Sequence, residues 1–202
     1  MPVLTLAGSP APHSRSSRLL DLAAAQLAKR GAAVDQVSLR ELPAHALVHL
    51  DHRHPAIERT LGQVARASAV IVATPVYKAA YSGLLKAFLD LLPQDGLKGK
   101  VVLPIATAGT FAHALALDYA LKPVLSALGA RYVLGGIYAV DEQVRWSPEA
   151  GLALDPEIAE RLHDGLQRLT ETVHLLVRPA QWSSSTSPVA AETEPPLARC
   201  WG

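Results

Sequence analysis

Five short apolar runs, at residues 3–7, 33–39, 69–74, 100–106 and 132–138, each lead into a longer stretch with helical period, and this repeated alternation leaves the chain few architectures. The runs have the length and composition of strands. The stretches between and after them, 16–29, 55–67, 83–92, 111–128 and 156–176, are rich in Ala, Leu and Arg, with apolar residues returning every three or four positions. They predict five helices. AVIVAT and KVVLPIA are almost continuously apolar, as strands must be when helices cover both faces of their sheet. The expected architecture is α/β: a doubly wound, five-stranded parallel sheet in the order 2-1-3-4-5 with helices on both faces.

At 202 residues the chain has the length of one ordinary domain. Residues 1–177 carry the alternation, whereas 178–202 hold four Pro, four Ser and two Thr with no apolar period, and are expected to form a disordered tail. The single Cys, Cys200, rules out a disulfide framework and suits a reducing, cytoplasmic setting. Lys and Arg number 19 against 18 Asp and Glu, a net charge of +1, so no global field favours a nucleic acid. Charged residues break every apolar run short of membrane-spanning length. His45, His49, Asp51, His52 and His54 are close enough in sequence to suggest a metal, but no Cys assists and the segment reads as a solvated connection; no metal site is expected.

In an open α/β sheet, ligands bind beyond the carboxyl ends of the strands where strand order reverses. The loop after the first strand, Gly8-Ser9-Pro10-Ala11-Pro12-His13-Ser14-Arg15-Ser16-Ser17, places four hydroxyls and a guanidinium at a helix N-terminus. One hydroxyl suffices for a cap, so Ser9, Ser14, Arg15, Ser16 and Ser17 together point to a terminal phosphate. The string is neither a P-loop nor GxGxxG, which disfavours an NTPase and a Rossmann dehydrogenase. After the third strand comes Thr74-Pro75-Val76-Tyr77-Lys78-Ala79-Ala80-Tyr81-Ser82-Gly83, with a stiff Pro75 and two aromatic faces suited to a planar ring. After the fourth, Thr107-Ala108-Gly109-Thr110-Phe111-Ala112-His113 combines small residues with exposed N–H groups able to bond ring carbonyls. A phosphate site, an aromatic wall and a polar backbone edge describe a site for FMN.

Taken together, LAGSP…SRSS, VATPVYKAAYSG.LK, LLDLLP and GKVVLP.AT.GT.AH…DYALKPVLSAL resemble the NADPH-dependent FMN reductases of the flavodoxin-like superfamily, and in particular the branch that supplies reduced flavin to alkanesulfonate monooxygenase. The resemblance covers residues 3–145; Ala108 stands where a second Gly is expected, and the tail has no counterpart. It implies FMN phosphate at Ser9, Ser14, Arg15, Ser16 and Ser17. It places the isoalloxazine and ribityl against Pro75, Val76, Tyr77, Lys78, Thr107, Gly109 and Thr110. From the third loop itself, His113 is a further candidate contact, a first-turn His being as often simply solvated. NADPH would deliver hydride to the flavin, a step that needs two stacked rings more than a protein acid or base. No general acid or base is therefore expected.

The resemblance further implies that FMN is a substrate released in reduced form to a partner flavin-dependent monooxygenase, and that the protein is a homodimer or homotetramer. In Asp118-Tyr119-Ala120-Leu121-Lys122-Pro123, proline cannot donate to the Tyr119 carbonyl, so the helix should be disturbed there. Members of this branch carry a π-bulge Tyr at the matching position, in a helix that packs between subunits, which makes Tyr119 a candidate for flavin exchange. Two other readings use the same loops: a quinone, azo-dye or metal-ion reductase that keeps its FMN, and a non-enzymatic electron carrier of flavodoxin type. The near-neutral charge weighs against the carrier, which is steered by a single-signed patch.

Overall fold

The computed structural model describes residues 1–177; the expected tail at 178–202 lies outside the described residues. Strands β1 (Pro2–Ala7), β2 (Ala33–Ser38), β3 (Ala69–Tyr77) and β5 (Val101–Ala108) are parallel in the order β2-β1-β3-β5. The outer position beyond β5 is shared by β6 (Tyr132–Val133) and β7 (Ile137–Val140), both parallel to it. This is the flavodoxin-like 2-1-3-4-5 order, with its reversal between β1 and β3.

Alternation along the strands divides the core in two. Ala69, Ile71 and Ala73 of β3, with Val101, Leu103 and Ile105 of β5, face α1 (Arg15–Lys29) and α6 (Pro156–Val177). From those helices come Leu19, Leu20, Ala23 and Leu27, and Ile158, Leu162, Leu166, Leu169 and Val173, at the spacing of a single helical face. Val70, Val72, Val102 and Ala106 point the other way, onto Ile57 and Val64 of α3 (Pro55–Arg66) and Leu85, Phe88 and Leu89 of α4 (Gly83–Leu89). Buried Lys100 donates to the Ala65 and Ala67 carbonyls at 2.9 and 2.8 Å, closing the C-terminal end of α3.

Two expected elements are interrupted, each by a proline. The fifth strand breaks at Leu134–Gly136. Leu134 N–H donates to the Val102 carbonyl at 2.9 Å, so the next β5 residue facing that edge is Pro104, which has no N–H to continue the ladder. Gly136 then packs so closely on Pro104 that an added Cβ would lie 3.2 Å from its ring and its carbonyl. The helix expected over 111–128 is a 3-10 turn at Phe111–His113, a π-helical turn at Leu117–Leu121 and the short helix α5 (Lys122–Ala127). Pro123 follows that π turn, where an α-helix would require its N–H to reach Tyr119.

Three features lie beyond the five-plus-five pattern. A short helix α2 (Ala44–Val48) precedes α3; β3 runs past Thr74 and folds back on β4 (Ala80–Tyr81); and a hairpin of β8 (Val144–Ser147) and β9 (Gly151–Leu154) follows β7.

Candidate active site

Parallel register brings the strand ends level: Ala7 beside Ala73, Pro75 beside Thr107, and Thr107 beside Ala139. The loops leaving them therefore meet at one edge of the sheet. There an open cavity of about 210 Å³ is lined by Ser9, Ala11, His13, Ser14 and Arg15 from the first loop, Pro75, Val76 and Tyr77 from the second, Thr107, Ala108 and Gly109 from the third, and Asp141 after β7.

Packing demands the glycine that opens the first loop. A Cβ on Gly8 would come 2.9 Å from Leu85 Cβ and 3.1 Å from the Ala73 carbonyl, to which Gly8 N–H donates at 2.7 Å. Ser82, 1% exposed, locks this loop to the second. Its hydroxyl donates to the Gly8 carbonyl and accepts from Leu85 N–H at 3.1 Å as the N-cap of α4, and its own N–H reaches Thr74 Oγ1 at 3.0 Å. One buried serine thus couples two walls of the site.

Ser14 stands at the N-cap position of α1 yet makes no capping bond. Its hydroxyl pairs with Ser16 Oγ at 2.8 Å, while Ser9 Oγ accepts from Ala11 N–H at 3.2 Å. The start of α1 therefore has no side-chain cap from Ser14, at the end of the helix where the dipole favours an anion. Arg15 is half-exposed and pairs with Asp141 at 3.2 Å. On the flank, the guanidinium of Arg18 sits 3.8 Å above the Trp146 ring, and His13 stacks on the same ring with centroids 6.1 Å apart.

The second wall turns back through Lys78 and Ala79, at φ 50° and 62°, so the β3–β4 turn is left-handed at both central residues without a glycine. Such strain of order 1 kcal/mol or more per residue persists where the surroundings impose it, often at functional sites. Tyr77 is 48% exposed at the lip of the cavity. In the third loop, Thr110 accepts from Ala112 N–H at 3.3 Å, and its carbonyl accepts from the Tyr138 hydroxyl at 2.7 Å. Burial pushes that phenol above its ordinary value.

Of the residues singled out in the sequence, Ser9, Ser14, Arg15, Pro75, Val76, Tyr77, Thr107 and Gly109 line the one cavity. Ser16 is buried behind Ser14; Ser17, Lys78, Thr110 and His113 lie outside the lining, His113 exposed in its 3-10 turn. Tyr119 is 79% exposed on the π turn; Phe111 and Leu115, earlier in the same segment, are also largely exposed. His13, Asp141 and Trp146 were missed. Asp141 had a signal, since it follows the carboxyl end of the fifth strand, where ligands also bind; Trp146 had none, because nothing local predicts the β8–β9 hairpin. The histidine-rich segment has local partners: His54 Nδ1 accepts from Ala56 N–H at 3.2 Å as the N-cap of α3, and His45 meets the His54 ring edge-on.

A family model described as NADPH-dependent FMN reductase matches residues 1–145. An FMN reductase (NADPH) of Pseudomonas putida is 47% identical over 176 residues, 87% of each chain. One of Escherichia coli K12 is 46% identical over 177 residues, 86% of this chain and 91% of that one. Among solved structures, an NADH:FMN oxidoreductase (EMOB) in its apo form superposes with a TM-score of 0.77 at 35% identity, covering 85% of this chain and 89% of that one. With a family match over most of the described residues and relatives 46 and 47% identical over most of their length, the chain belongs to the NADPH-dependent FMN reductases, oxidoreductases whose reactants are FMN and NADPH.

Proposed function

We propose that FMN enters this site as a substrate, takes hydride from NADPH and leaves in reduced form to serve a flavin-dependent monooxygenase, with alkanesulfonate sulfur assimilation as the setting. The observation that carries this reading is the cavity at the strand ends, where Ser9, Ser14 and Arg15 surround the start of α1 and the opposite wall is the Tyr77 hairpin. A helix N-terminus with hydroxyl and guanidinium donors suits a phosphomonoester. The flat lip formed by Pro75, Val76 and Tyr77, facing the small residues Thr107 and Gly109, suits a ring held through its edge. Lys78, at the strained tip of the hairpin, is the residue best placed to meet the further phosphate of NADPH. The relatives named for NADPH, at 46 and 47% identity, support that preference.

Hydride moves between the two nucleotides, so the chain supplies orientation and exclusion of water in place of a proton relay. Half-exposed Arg15 and an open cavity support passage of flavin over permanent retention. Tyr119, largely exposed on the π turn, offers an apolar ring suited to a second subunit in a homodimer or homotetramer, from which it would loosen a neighbouring flavin. Release is tested by mixing protein, NADPH and excess FMN without oxygen and then ultrafiltering. Reduced FMN should pass into the filtrate at far more than one equivalent. Reduced flavin confined to the protein fraction would favour the reductases that keep their FMN and pass electrons to a quinone, azo dye or metal ion.

A further inference from the structure

Asp141 is an unexpected group for a phosphate site. Among the described residues it is the only acidic one lining the cavity, its carboxylate lies 3.2 Å from the Arg15 guanidinium, and Arg15 is the only lining residue of fixed positive charge. A dianionic phosphate approaching the start of α1 meets a cation already partnered. To take the guanidinium it must displace the carboxylate or share the cation with a like charge a few ångströms away.

The backbone keeps the carboxylate there. Asp141 begins the 3-10 turn Asp141–Gln143 directly after β7, and the Gln143 side chain closes that turn by accepting from Val140 N–H at 3.1 Å. The same segment runs into β8, whose Trp146 packs against Arg18 and His13. Residues 141–146 therefore grip the start of α1 at two places, by an ion pair to Arg15 on the cavity side and a cation–aromatic contact to Arg18 on the flank.

We infer that Asp141 is a built-in counter-anion that competes with the flavin phosphate for Arg15 and holds FMN affinity down, so that flavin exchanges. The inference rests on the reading of Arg15 as a phosphate ligand. It assigns the residue after the fifth strand the setting of flavin release, and its effect falls on phosphorylated flavins alone, because riboflavin has no phosphate for the carboxylate to oppose.

The test measures FMN and riboflavin dissociation constants by flavin fluorescence for the full chain, Asp141→Asn and Asp141→Glu. Asn keeps the size and removes the charge; Glu keeps the charge. Asp141→Asn should bind FMN about three- to tenfold more tightly at low salt, in line with half-exposed charge pairs. Its riboflavin affinity should stay unchanged, Asp141→Glu should stay close to the parent, and added salt should narrow the gap. FMN affinity unchanged or weakened in Asp141→Asn overturns the inference, weakening meaning that Asp141 orients Arg15 for the phosphate. If the parent protein binds FMN no better than riboflavin, the phosphate site itself is wrong and the inference falls with it. The two failures are distinguished by the parent's own preference.

Discussion

Three single groups line or brace the cavity: Arg15, Ser82 and Tyr138. A charge-assisted contact contributes about 1.5–3 kcal/mol when sheltered, and half-exposed Arg15 belongs at the low end of that range. Arg15→Ala should therefore weaken FMN binding about tenfold while leaving riboflavin affinity nearly unchanged, read by flavin fluorescence titration. Tyr138 carries a pH signature. Its phenol is raised by burial, so the folded chain keeps the proton that the unfolded chain loses near pH 10. The stability this contributes is fully present below that value and is lost as pH rises through the window above it. Tyr138→Phe should lower stability by about 0.5–1.5 kcal/mol at pH 8 through loss of the bond to the Thr110 carbonyl. In urea melts the gap to the parent should close as pH rises beyond 10.

At the scale of elements, loops meet through specific ties, and Ser82 is the clearest. Ser82→Ala removes the cap of α4 and the bond to the Gly8 carbonyl together, for a cost of about 1–3 kcal/mol in thermal or urea unfolding. FMN affinity should fall with it, because the first loop and the Tyr77 hairpin lose their common anchor. The π turn gives a second prediction: deleting Tyr119 restores the count of an ordinary helix and should yield protein that purifies yellow with retained flavin. A colourless deletion protein that cycles FMN at the parent rate would remove Tyr119 from exchange.

Elements are also where sequence reading succeeded and failed. The continuous apolar character of β3 and β5 and the three-four spacing of α1, α3 and α6 placed the sheet, its two covered faces and the strand ends, so the three loops could be chosen in advance. What was not legible depended on partners distant in sequence. The break at Leu134–Gly136 arises from Pro104 on the neighbouring strand, and the hairpin carrying Trp146 is fixed by Arg18 and His13. The disturbance at Tyr119 was legible because its cause, Pro123, lies four residues away.

For the whole molecule, a near-neutral chain brings three loops together around one cavity at the edge of the sheet, and the Arg15 cation there is balanced by a carboxylate. A site so arranged suits a reactant that arrives and leaves. Use of FMN as a substrate by this member of the NADPH-dependent FMN reductases is tested by steady-state NADPH oxidation with flavin-stripped protein as FMN is varied. No turnover is expected without added FMN, with saturation as FMN rises and a weaker response to riboflavin. Sustained NADPH oxidation by protein that holds its own flavin, indifferent to added FMN and dependent on a second electron acceptor, would contradict it.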